Sequence, residues 1–272
     1  MGGGHERGPG RTPLPGLSGA LGDLCDHFLH RALCAARHDR RPFLQRFEIR
    51  FPIRGVTTRW YGAVLENPQL LAAFLNSVLL GITAAFMATG LALLLALAFR
   101  RDFRLKGAVL NLILAPVVVP GIVGGIILLI FFGYLGMRPS LWTTVLVAHV
   151  NWVLPFAFLT LYPRLHGFDT SVEEAAMDLG ARRHQVFVYI VFPMIRPAVI
   201  ATMLFSFSLS FDEFIRTIFV IGFDRTMPIQ FWTMIVEELA PELPAMAVMI
   251  IVVSSVTAML GFALMGRNNS RS

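Results

Sequence analysis

Charge is scarce in this sequence. Asp, Glu, Lys and Arg make up 15% of its 272 residues, against roughly a quarter in an ordinary soluble domain, while 56% of the residues are hydrophobic. Lysine is all but missing: Lys106 is the single one among 23 basic residues, and the others are arginine. Cysteine occurs only as Cys25 and Cys34, which fixes no redox compartment. The first 45 residues hold no uninterrupted apolar stretch, which argues against a secretory leader. No G-x4-G-K-[ST] cradle is present, so the chain is expected to hold no nucleotide and no cofactor of its own. H-E-x-x-H, G-x-S-x-G and paired aspartates on facing apolar runs are also missing, which disfavours an intramembrane enzyme.

What fills the sequence instead is a set of long apolar runs. They cover Leu71–Phe99, Ala108–Tyr134, Leu141–Tyr162, Pro197–Ile221 and Pro244–Met265. A membrane span needs roughly 20 residues at 1.5 Å each, so each run is long enough to cross. The second carries Pro116, Pro120, Gly121, Gly124 and Gly125 and is expected to kink beside a cavity or another helix. The predicted fold is all-α: a polytopic membrane bundle with five visible spans. The formal charge of +6 then reflects loops facing the cytoplasm and not nucleic acid. Arg100, Arg101, Arg104 and Lys106 follow the first span, Arg164, Arg182, Arg183 and Arg196 the third, and Arg267 and Arg271 the fifth. The intervening loops carry Arg138 and Arg225, and the last of them also holds Asp224, Glu237, Glu238 and Glu242. The positive-inside rule places the three basic loops, and the C-terminus, in the cytoplasm of a plasma or inner membrane.

That orientation conflicts with residues 1–60. They bear ten arginines and no spanning run, yet they would lie outside. Reading His38–Ile49 one base later permits codons for an apolar M-I-V-V-P-F-F-N-A-S-K-S, which would supply a missing span. Residues 1–50 are therefore expected to be a non-native or disordered segment, followed by a transmembrane domain over 51–267 and a cytoplasmic tail over 268–272. Cys25, His27, His30, Cys34 and His38 have the spacing C-x-H-x2-H-x3-C-x3-H, which is not a usual zinc pattern, so no metal site is predicted.

Between the third and fourth runs lies a polar island, Glu173–Pro193. Ser171 can cap a helix there, with Glu173 and Glu174 in its first turn where they offset the helix dipole. Ala175 and Ala176 favour the helix, and Gly180 can end it in a left-handed conformation. A short helix with a small-residue face permits close approach by another protein surface; a solvated connector is the plainer alternative. The series Glu174-Ala175-Ala176, three residues, Gly180, nine residues, Ile190-x-Phe192-Pro193 resembles the EAA signature of ABC importer permeases, with Phe192 in place of the usual leucine. Gly55–Tyr61, Asn76-Ser77, Tyr162-x-Arg164-Leu165-x-Gly167-Phe168-Asp169 and Leu209–Phe214 are similar to the spermidine/putrescine branch of that family over residues 51–267.

The resemblance implies six spans, of which the first is absent here, and a coupling role for Glu173, Glu174, Ala175, Ala176, Asp178, Gly180 and Pro193. It implies that the short helix docks on an ATP-binding subunit, present in two copies, which hydrolyses the ATP. It further implies a second permease subunit and a periplasmic or lipid-anchored polyamine-binding protein. Arg182, Arg183 and His184 are expected at the ATPase or at lipid headgroups.

Asp212, Glu213 and Arg216 are the ionisable residues inside an apolar run. Such groups face partners or a water-filled path, and Arg216 lies i+4 from Asp212 and i+3 from Glu213, so either carboxylate can pair with it. One negative charge then remains, which suits a polyamine in transit; a packing salt bridge is the alternative. Asn76 and Pro120 complete the candidate path, while His149 and Asn151 read as interhelical hydrogen-bonding residues. Trp232 is expected at the interface or in a re-entrant gate. The predicted function is a permease subunit moving polyamines; another amine-bearing solute, or a fragment without its first span, are the alternatives.

Overall fold

A computed structural model describes residues 59–167, 170–237 and 240–269, all within the second of the two units into which the chain divides, Thr57–Ser272. The N-terminal expectations above, including the Cys/His cluster and the shifted frame, lie outside these residues. The described chain is helical: α1 Arg59–Glu66, α2 Pro68–Ala98, α3 Lys106–Val118, α4 Gly121–Tyr134, α5 Leu146–His166, α6 Thr170–Asp178, α7 Arg183–Val186, α8 Phe192–Phe211, α9 Thr217–Val220, α10 Met227–Glu237 and α11 Leu243–Asn269.

Helix α2 is the central element. Asn67 caps it by accepting from the Gln69 amide at 3.0 Å, and Pro68 starts it where no donor is needed. Its buried side is a seam of small residues: Ala73, Ser77, Gly81, Ala84, Ala85, Ala88, Ala92 and Ala96. They recur at helical spacing, so the backbone can come close to the α5 and α8 helices that pack along it. A Cβ added at Gly81 would stand 2.9 Å from the Phe207 ring of α8, so the crossing itself needs glycine. At the Arg100 end, Phe99, Phe158, Leu161, Leu165, Val186 and Ile195 form a core, and at the other end Leu70, Met227 and Met246 form a second.

Two expected spans are corrected. The run Ala108–Tyr134 is not one kinked helix but two, α3 and α4, set at 111° to each other across Val119 and Pro120. Pro120 lacks the amide that would continue α3, and Val119 is held extended at ψ 126° as residues before proline are. Among the described residues four helical stretches are long and apolar enough to cross a membrane, or five counting the bent pair as one. The second correction concerns the run Pro197–Ile221. Its helix begins earlier: α7, a π turn over Phe187–Val191 and α8 make one continuous stretch, Arg183–Phe211, of 29 residues. Pro193 therefore does not close the polar island but lies inside a helix. The π turn sits just before it, where the proline ring would otherwise crowd the carbonyl of Tyr189. The same helix ends at Phe211, ten residues short of the expected Ile221.

Candidate functional sites

Two regions collect the residues singled out from the sequence. The first is the short helix α6. It starts at Thr170, so Ser171 lies within it and is not its cap. It stops as its glycine demands: Gly180 has φ +91°, its amide donates to Met177 O at 2.9 Å, and Ala181 N donates to Ala176 O at 3.0 Å. These two bonds are the paired closure that a left-handed glycine permits. The two glutamates diverge. Glu173 turns inward and forms an ion pair with Arg100, just past the end of α2. Glu174, Ala175, Asp178 and Leu179 are exposed, Leu179 at 90%. Ala176 packs on the core formed by Phe99, Leu161 and Val186. One face of α6 is thus fixed to the bundle and the other is open.

The second region is the interruption after α8. Asp212, Glu213 and Arg216 do not lie in a helix that continues to Ile221; they form a non-helical link between α8 and α9. Glu213 and Arg216 are buried at 8% and 5% exposure. The Arg216 amide donates to Glu213 Oε1 at 2.8 Å, and its Nη1 donates to Oε2 at 3.2 Å. The guanidinium lies over the Trp152 ring of α5, 3.7 Å from its centre, and Gly121 and Gly124 of α4 border it. Of the two pairings open to Arg216, the structure contains the one with Glu213.

Asp212 is exposed, and among the described residues no basic side chain pairs with it. Its Oδ1 accepts from Ser254 Oγ on α11 at 2.5 Å. It lines a cavity of about 690 Å³ with Phe214, Phe231, Trp232, Ile250 and Ser254. The Phe214 and Trp232 rings face each other at 5.5 Å. Apart from Ser254 and Ser255 the rest of the cavity wall is apolar, so one carboxylate sits beside aromatic side chains. Sequence reasoning singled out the carboxylate and, separately, Trp232, but neither Phe231 nor the meeting of Trp232 with Asp212. Phe231 and Trp232 belong to α10, an eleven-residue helix that only its packing on α2 and α11 brings to Asp212.

Pro120 is at the exposed corner between α3 and α4, and its neighbour Gly121 meets Ile215 and Arg216. Asn76 stands apart. Its Nδ2 donates to Arg225 O at 3.0 Å, and it borders a separate polar cavity of about 450 Å³ with Gln69, Asp224, Gln230 and Glu237. Among the described residues no three His, Cys, Asp or Glu side chains are placed to hold a metal ion.

A bundle of long apolar helices with a half-fixed polar helix on one side and a charged break on another defines a polytopic membrane protein of the transport class. Residues 70–271 match the family described as binding-protein-dependent transport system inner membrane component, and the chain belongs to that family. It is 34% identical over 205 residues to the spermidine/putrescine transport system permease protein PotC of Escherichia coli K12, covering 75% of this chain and 77% of that protein. It is 33% identical over 218 residues to PotC of Haemophilus influenzae, covering 79% and 84%. With the putrescine transport system permease protein PotI of E. coli K12 it shares 33% over 223 residues, covering 78% and 79%. The fold is similar to a chain in the crystal structure of a bacterial ABC transporter involved in the import of the acidic polysaccharide alginate. There the TM-score is 0.63 at 13% identity, covering 89% of this chain and 96% of that one.

Proposed function

We propose that this permease subunit carries polyamines, and that Asp212 is the charge they meet. The observation that carries this reading is the Asp212 carboxylate, without a basic partner among the described residues, in a cavity walled by Phe214, Phe231 and Trp232. A polyamine alternates ammonium groups with short methylene chains. A carboxylate beside aromatic faces offers an ion pair and cation–π contacts to the first and apolar contact to the second. The names of the relatives in E. coli and H. influenzae support the same substrate class.

In this reading the exposed face of α6, with Glu174, Ala175, Asp178 and Leu179, docks on an ATP-binding subunit in the cytoplasm. Two such subunits hydrolyse the ATP, a second permease completes the path, and a binding protein delivers the amine from the opposite side. The basic loops around Arg100–Lys106 and Arg164–Arg196 support that orientation. The test is uptake of labelled putrescine and spermidine in a strain deleted for this gene. Restored uptake that falls at least tenfold with Asp212→Asn, at unchanged membrane content, is the expected result. Uptake equal to wild type in that variant removes Asp212 from the path, and restoration of neither amine overturns the substrate.

A further inference from the structure

The break that carries Asp212 is not loose. His149 of α5 is buried at 1% exposure and reaches both of its ends. Its Nδ1 lies 2.7 Å from Ser210 Oγ, in the last turn of α8, and its Nε2 lies 2.8 Å from Thr217 Oγ1, the first residue of α9. Thr217 Oγ1 also donates to Glu213 O at 2.7 Å. A hydroxyl has one proton, so the one that goes to Glu213 is not available to His149. Thr217 therefore accepts from Nε2–H, which leaves Nδ1 as an acceptor and makes Ser210 its donor. One neutral tautomer satisfies every polar atom of the chain Ser210–His149–Thr217–Glu213. Three residues along α5, on the same face, the Trp152 ring covers the Arg216 guanidinium.

We propose that His149 is a positioning residue for translocation. By bonding Ser210 and Thr217 at once, it fixes the span across the five-residue break, 212–216, and so holds Asp212 at the cavity wall. Among the described residues the Asp212 side chain has one tether, Ser254, its amide donates to Ser208 O at 3.2 Å, and the Glu213 side chain turns to Arg216 instead. Without His149 the hydrogen bonds from α5 to both helix ends are lost, the stacking of Arg216 on Trp152 alone holds the α9 end, and the position of the carboxylate is less sharply set. This rests on the transport reading above, but it assigns a role to a residue that itself does not line the cavity.

The experiment uses the full chain expressed with its partners in the deletion strain. Uptake of labelled putrescine and spermidine is measured over a range of concentrations, with immunodetection of membrane content. We expect His149→Ala to lower maximal uptake about five- to tenfold, the scale of one or two lost buried hydrogen bonds. The half-saturating concentration should stay within about twofold, since in the transport reading a binding protein, and not Asp212, captures the amine from solution. His149→Gln offers one donor and one acceptor and should recover at least half of the activity. Thr217→Val and Ser210→Ala should each lower uptake, and combining either with His149→Ala should add little, because all three break one network.

Wild-type uptake by His149→Ala, or effects that add as independent sites do, overturns the proposal. Should His149→Ala fail to reach the membrane, the near-isosteric Thr217→Val takes its place, and full uptake by that variant overturns it equally. A substrate-independent reading comes from the thiol-labelling rate of Asp212→Cys in a chain with Cys25 and Cys34 changed to serine. Adding Thr217→Val should raise that rate several-fold; equal rates sink the proposal even where the wild-type chain moves neither amine, the result that overturns the substrate reading alone.

Discussion

Glu213 Oε2 and Arg216 Nη1 lie 3.2 Å apart, with both side chains less than a tenth exposed. A buried pair of this kind is costly to split and cheap to replace as a unit. Arg216→Met alone leaves a buried carboxylate, and we expect it to lower stability by about 3–5 kcal/mol. Arg216→Met with Glu213→Gln should recover most of that loss. Melting of the purified protein in detergent reads both, and a double variant no more stable than the single one contradicts the pairing.

Arg100 and Glu173 are joined across 73 positions of sequence, with side chains 18% and 17% exposed. Being partly screened, the pair contributes less than a buried one, about 1–2 kcal/mol. Glu173→Gln should loosen α6 from α2 and reduce uptake with little change in membrane content. Exchanging the two residues, Arg100→Glu with Glu173→Arg, should restore part of the activity. Equal uptake by wild type and Glu173→Gln would show that the attachment is idle.

Gly180 is a separate matter, because its constraint is in the backbone. At φ +91° a side chain is strained even though open space surrounds the Cα. Gly180→Asp adds a charge to the exposed face of α6 as well as strain. We expect it to abolish uptake while the protein stays in the membrane, and we expect Gly180→Asn, which tolerates a left-handed backbone better, to keep part of it. Normal uptake by Gly180→Asp contradicts the docking assignment.

Gly125 tests the contact between α4 and the α9 region. A Cβ there would overlap the Phe219 ring. Gly125→Ala should lower the melting temperature by several degrees, and a second change, Phe219→Leu, should return part of the loss. An unchanged melting temperature in Gly125→Ala would mean that the ring moves aside freely.

The sequence showed the apolar runs, because a membrane span writes itself as an uninterrupted hydrophobic stretch, and it showed the Gly180 stop, because a left-handed backbone restricts the residue type. The end of α8 was not legible. Phe214-Ile215 and Ile218–Ile221 are as apolar as the helix before Asp212, and the charges of Asp212, Glu213 and Arg216 read equally well as a polar turn of a continuing helix or as a link between two helices. The corner at Pro120 was half legible: two prolines announced a disturbance, but its 111° angle depends on what α4 packs against. The meeting of Trp232 with Asp212 was hidden for a different reason. Trp232 and Asp212 are twenty residues apart on elements whose meeting is fixed by tertiary packing, with Met227 N bonded to Ser77 Oγ at 2.7 Å holding the start of α10 against α2.

The continuous helix Arg183–Phe211 joins the two regions as a single rod. Its 29 residues give it a length of about 44 Å at 1.5 Å each. Its foot follows α6 by four residues and its tip precedes Asp212 by one. Pivoted at the foot, such a rod turns a tilt of about 5° into a displacement of about 4 Å at the tip, more than the span of one hydrogen bond. A small rotation at the polar helix would thus be geometrically amplified at the carboxylate, with no need for the intervening side chains to rearrange in sequence.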